Sequence, residues 1–126
     1  PYLELIEELT LQEHLEFHFQ FRKATHNFKE MMERAGLENA KHKQISNFSS
    51  GMKQRLKLIL AFFSSDSLMI LDEPCSNLDE EGIQWYQEQL RSIITKKTII
   101  IASNQRFEYQ QCTEKLDVTT FKKRRN

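Results

Sequence analysis

A chain of 126 residues is about one domain, long enough for a real core but short for an enzyme that must hold a nucleotide by itself. Eighteen basic and eighteen acidic side chains leave no net charge, so no global field recruits nucleic acid or a membrane surface. Cys75 and Cys112, with no CxxC and no Cys/His metal spacing, argue against a disulfide framework or zinc module and make a reducing cytoplasm the simplest setting; no apolar run nears the ~20 residues that cross a bilayer, and the acidic start PYLELIEELT is unlike a signal peptide.

Thr10-Leu11-Gln12-Glu13 has the form of a capping box, which predicts a helix starting there with Leu11, Leu15, His18 and Phe19 on its inner face. Phe28, Met31, Met32 and Ala35 repeat at helical spacing, and Gly36 is placed to end that helix in the left-handed conformation. Residues 10 to 36 therefore read as a helical hairpin. The polar stretch KHKQISN (41–47) separates it from a third helix expected to start at Ser49 or Ser50, with Met52, Leu56, Ile59 and Phe63 as its buried stripe. His14 and His18 are one turn apart, but no third metal ligand has fitting spacing, so a place on a helix face is the simpler reading.

From residue 68 the character changes. LMIL (68–71) and TIIIA (98–102) are short continuous apolar runs, which predict parallel strands covered on both faces. Between them Ile83, Tyr86, Leu90 and Ile94 fit an amphipathic helix with Asp79 as its N-cap. The order is β-α-β, and the fold class is α/β. A short helix over 106 to 112 and a weaker strand over 115 to 120 are expected next, before the basic end FKKRRN, whose Lys122 to Arg125 read as solvated.

Function in a parallel sheet collects beyond the carboxyl ends of the strands. Asp72 and Glu73, followed by Pro74, stand at such an end. One carboxylate there can hold magnesium, directly or through water, and its neighbour can polarise water for attack on a phosphoryl group. An isolated Asp-Glu pair is more often merely a polar exit from a strand.

The surrounding motifs are more specific. FSSGMKQR (48–55), LMILDEP (68–74), SNLD (76–79) and IIIASNQ (99–105), in that order, closely resemble the second half of an ABC-transporter ATPase domain, a P-loop NTPase fold with a helical subdomain. The resemblance implies two parts: residues 1–47 as the helical subdomain, and 48–126 as the signature helix with the Walker B, D-loop and switch half of the core. It sets Ser49, Ser50, Gly51 and Met52 at the signature motif, Leu68 to Asp72 at Walker B and Glu73 at the catalytic glutamate. Ser76 to Asp79 fall at the D-loop, and Asn104 falls where a switch histidine usually stands. The implied cofactors are ATP and Mg2+. The implied partners are a second ABC ATPase domain, whose ATP the signature face would touch, and a transmembrane permease at the inner face of the membrane, with no nucleic acid expected.

The residues are chemically suited to those roles. Ser49, Ser50 and Gly51 open a helix, where free N–H groups and the positive end of the dipole form an anion site; an ordinary serine cap is the alternative. Asp72 would bind magnesium and Glu73 would act as general base, with Asp79 coupling two nucleotide sites while also capping its helix. Ser50 replaces the usual first glycine and Met52 the usual glutamine. The Gly-Met-Lys-Gln-Arg form is like that of ATPases working with ABC-2-type exporters. Asn104 keeps one amide contact but, unlike histidine, does not titrate. Cys75 stands where the family has a small hydroxyl residue and reads as packing, not as a nucleophile. Lys53 and Arg55 could help hold phosphate, with solvation as the default. Trp85, Tyr86 and the phenylalanines fall at core spacing, not as base-stacking platforms.

The only glycines are Gly36, Gly51 and Gly82, so these residues hold no GxxxxGK[ST] phosphate loop. A Q-loop glutamine would lie at or before Pro1-Tyr2. The expectation is therefore the C-terminal portion of such a domain, inactive by itself, with exposed edges and apolar surface where neighbouring strands belong. A non-hydrolysing binding module and a soluble ATPase acting on ribosomes or DNA are the competing classes.

Overall fold

The computed structural model describes residues 4–121; the Q-loop position at Pro1-Tyr2 and the basic end Lys122 to Arg125 lie outside them. The elements in order are α1 (Leu11–His18), α2 (Phe28–Arg34), α3 (Ser50–Phe62), β1 (Leu68–Asp72), α4 (Glu80–Ile93), β2 (Thr98–Ala102) and α5 (Arg106–Tyr109), with short 3-10 turns at Glu38–Ala40, Ile45–Asn47 and Val118–Phe121. β1 and β2 pair in parallel, Leu68 beside Thr98 through Asp72 beside Ala102. With α4 between them they form the expected β-α-β unit.

Local chemistry sets the helix ends. The capping box at α1 forms in both directions: the Glu13 amide donates to Thr10 Oγ1 at 3.3 Å and the Thr10 amide to Glu13 Oε2 at 2.8 Å. Asn27 caps α2 by accepting from the Glu30 amide, and Gly36 ends it at φ +65°, where a side chain would be strained. The two helices meet through the stacked rings of Phe19 and Phe28, 5.8 Å apart. Residues 7–11 run antiparallel to 43–46, with the Ile45 amide donating to the Leu9 carbonyl at 2.9 Å, and so tie the hairpin to the approach to α3.

The core lies where α3 packs on α4. Leu56, Ile59, Leu60 and Phe62 are buried from α3, and Trp85, Tyr86 and Leu90 from α4. Burial of Leu58, Leu60 and Phe62 beside the expected stripe makes α3 apolar nearly all round, as befits a helix covered by the hairpin and by the β-α-β unit. Trp85 and Tyr86 pack in this core, as their spacing predicts.

Three expectations are corrected. The strands are covered on one face only: Met69 and Leu71 are buried, whereas Leu68, Ile70 and Ile100 are 50%, 66% and 52% exposed. Among the described residues, a two-stranded sheet has α4 and α3 to cover one side and nothing for the other. The apolar run records the covering a strand is suited to, not the layers at hand. The expected strand over 115–120 is instead a 3-10 turn at Val118–Phe121. Asp117 accepts from the amide and hydroxyl of Thr119 at 2.9 and 2.6 Å, a local turn that competes with a ladder. The expected helix over 106–112 stops at Tyr109.

Of the histidines of α1, His14 is buried and His18 half-buried. His14 is 4% exposed and neither ring nitrogen has a hydrogen-bond partner; His18 Nε2 is buried without one. Burial lowers both pKa values below the ordinary 6.5. The unfolded chain therefore binds more protons below that value, and this share of stability is complete above pH 6.5 and is lost as pH falls through the lowered folded values. His14→Leu is expected to gain about 1–3 kcal/mol by removing an unsatisfied polar ring, and to flatten the stability profile below pH 6.5. Urea unfolding at several pH values checks this; an unchanged profile in the variant would place the acid sensitivity elsewhere.

Candidate functional site

Asp72 is the last residue of β1 and is exposed, while Glu73 is half-buried and bends the chain with φ +44°. A non-glycine residue in the left-handed region is held by its surroundings. Here the Glu73 amide donates to the Ala102 carbonyl at the end of β2, 2.9 Å away, and the Pro74 carbonyl accepts from Gln54 Nε2 of α3 at 2.8 Å. The Asn104 amide donates to Glu73 Oε1 at 3.3 Å. The two positions read as catalytic from sequence are thus brought together, through the backbone of Asn104.

Ser49 caps α3, its Oγ accepting from the Met52 amide at 3.2 Å. Ser49 and Ser50 are exposed, Gly51 and Met52 half-buried. Gly51 is required by close approach: a Cβ there would lie 3.0 Å from the Asn77 carbonyl oxygen, a backbone atom that cannot swing aside. The start of α3 is therefore seated on the loop leaving β1, and Asn77 turns that loop at φ +64°.

Asp79 caps α4, accepting from the Gly82 amide at 2.8 Å. That bond, followed by Arg55, holds its pKa below the ordinary 3.8. Its contribution to stability is present above that value and is lost as pH falls through the lowered folded one. Arg55 reaches Asp79 Oδ1 at 3.4 Å, donates to the Ala35 carbonyl at 2.9 Å and lies over the Trp85 ring. Its side chain is 15% exposed, so it is a bridge between the hairpin and the loop before α4, and not the solvated residue that is the default for arginine. Lys53 pairs with Glu7 at 2.5 Å.

Sequence reasoning missed Glu108. It is 1% exposed, accepts from the Cys75 amide at 2.7 Å through Oε1, and its carbonyl accepts from the Tyr86 hydroxyl at 2.8 Å. The available signal is a lone acid between two aromatics, Phe107 and Tyr109. Burial, then the negative charge of Glu108 and the hydrogen bond to it, push the Cys75 thiol up to about 12, so it stays protonated and is no nucleophile.

Asp72 could contribute one ligand to a magnesium ion that draws the rest of its shell from elsewhere. Among the described residues no three His, Cys, Asp or Glu side chains are grouped to hold a metal, whereas Asp72 offers one exposed carboxylate. Magnesium at phosphate sites takes one or two carboxylates and completes its shell with phosphate and water. The N-terminus of α3 offers amides of the kind that bind anions. His14 and His18 are packed away from this region, on α1.

Comparison with known proteins fits this geometry. Residues 2–76 match the ABC transporter family. An uncharacterized ABC transporter ATP-binding protein of Bacillus subtilis, YcbN, is 34% identical over 118 residues, 89% of this chain and 38% of that protein. The Nod factor export ATP-binding protein I of Rhizobium meliloti is 34% identical over 117 residues, 88% of this chain and 35% of that protein. The solved structure of an ATP-binding subunit of an ABC transporter superposes with a TM-score of 0.76 at 26% identity, covering 86% of this chain and 48% of that one. The chain spans little more than a third of the length of these curated relatives. The family match over residues 2–76, the relatives at 34% identity and the superposition on a solved ATP-binding subunit show that the chain belongs to the ABC transporter family of ATP-binding proteins.

Proposed function

We propose that these residues are the signature and Walker B part of an ATP-binding subunit that couples ATP binding and hydrolysis to transport across a membrane, in the direction of export. The observation that carries this is the bond from the Asn104 amide to the Glu73 carboxylate at the mouth of β1, which joins the base position to the switch position. Residues 1–47 serve as the helical subdomain that meets the permease, and 48–126 as the catalytic half of the core. Asp72 would hold magnesium, and Glu73 would accept a proton from the attacking water. Ser49, Ser50 and Gly51, beside Met52, present donors to the phosphate of an ATP held by a second ATPase domain. Asp79 links the two sites. Magnesium, when bound, neutralises charge on the phosphates. The phosphate-gripping loop is supplied from outside these residues, so this part alone does not turn ATP over. No helix among the described residues is long and apolar enough to cross a membrane; the subunit works at the cytoplasmic face against its permease.

The test is phosphate release from ATP by the full-length protein. It should require magnesium, and Asn104→His should raise turnover by about tenfold, since a titratable ring adds a charge-assisted bond to the phosphate. Release independent of magnesium would point to a different chemistry, and unchanged turnover in Asn104→His would remove the Asn104 side chain from the mechanism.

A further inference from the structure

We infer that Glu108 is a positioning residue for Glu73, an assignment that rests on the ATPase reading above. Three successive residues after β1 are each tied to a different element. The Glu73 amide bonds Ala102 of β2, the Pro74 carbonyl bonds Gln54 of α3, and the Cys75 amide bonds Glu108 of α5, at 2.9, 2.8 and 2.7 Å. The Glu108 bond is the shortest of the three and the one made by a carboxyl side chain. Its second oxygen, Oε2, is buried without a partner among the described residues.

A buried carboxylate with an unsatisfied oxygen is a cost to the fold, of a kind retained where it fixes something. What it fixes is the loop that bends through φ +44° at Glu73 and +64° at Asn77. The chain closes on itself here. α5 starts at Arg106, just after Asn104, and the Asn104 amide bonds the Glu73 side chain at 3.3 Å. Glu108 thereby sets the depth of residues 73–75 beneath the switch segment, and Tyr86 holds Glu108 in turn through its carbonyl. Glu108 touches no reacting atom; it acts through Cys75 and Glu73.

The test uses full-length protein turning over Mg-ATP. Glu108→Ala should lower kcat by about 10–100-fold with KM within about twofold, because a displaced base loses rate and not binding. Glu108→Gln, which keeps an acceptor oxygen for the Cys75 amide, should stay within about threefold of wild type. Amide exchange at Cys75 should be slow in wild type and in Glu108→Gln. A purely structural role would lower the melting temperature and leave kcat per folded molecule unchanged, which overturns the assignment, as does an equal loss of kcat in Gln and Ala. Should Glu108→Ala not fold, Glu108→Asp decides: one methylene shorter, it should lower kcat about tenfold, and wild-type kcat would overturn the proposal. Glu73→Gln is run in parallel. If it is as active as wild type, the reading of Glu73 as the base, on which this assignment rests, fails; if it is inactive while Glu108→Ala is fully active, only the role of Glu108 fails.

Discussion

Phe62→Ala should cost about 3–5 kcal/mol of folding stability, a large share of the roughly 5–15 kcal/mol that holds a domain together. Phe62 is 2% exposed, and its ring lies 6.0 Å from Trp85 and 5.9 Å from Tyr86 between centroids. The loss combines the apolar surface removed with the cavity left between two large rings that cannot collapse onto each other. Both rings also serve the site: Trp85 lies under Arg55, and Tyr86 bonds Glu108. The same substitution should therefore loosen the loop at residues 73–77 before global unfolding. Urea denaturation measures the first effect and amide exchange at Cys75 the second. A change below about 1 kcal/mol would mean that α3 and α4 do not form the central contact.

The parts of this structure legible in the sequence are those decided locally. Thr10 with Glu13, Ser49, Asp79 and Gly36 mark helix ends because each bonds or bends within a few residues of itself. The strands and the helix between them follow from apolar spacing alone. What was not legible depends on distant partners. Leu68, Ile70 and Ile100 look like interior residues, yet their covering layer is not among the described residues. His14 was not counted on the inner face of α1, where it proves more buried than His18. Glu108 in RFEY reads as an exposed acid, and only the arrival of Cys75, 33 positions away, makes it interior. Arg55 is similar, because its bond to Ala35 spans 20 positions. The segment over 115–120 was misread because Asp117 and the threonines satisfy one another locally.

At the site, Glu73 and Asn104, each read as catalytic from its motif, are joined by the Asn104 backbone amide and not by its side chain. That detail separates two roles for Glu73. As an acceptor from the Asn104 amide, its carboxylate could be replaced by the amide oxygen of glutamine with little loss. As a proton acceptor for water, it could not, because glutamine has no basic oxygen in this range. Glu73→Gln should therefore keep the fold, keep nucleotide binding, and lower turnover by about 10²–10⁴-fold, the usual worth of a general base.

The most direct measurement is phosphate release from Mg-ATP by full-length wild-type and Glu73→Gln protein, with nucleotide binding measured on both. Bound ATP at wild-type affinity with release lowered at least about 100-fold is the predicted result. Equal release from the two proteins would contradict it, and would leave Glu73 as a strand-end residue whose task is to hold the Asn104 amide.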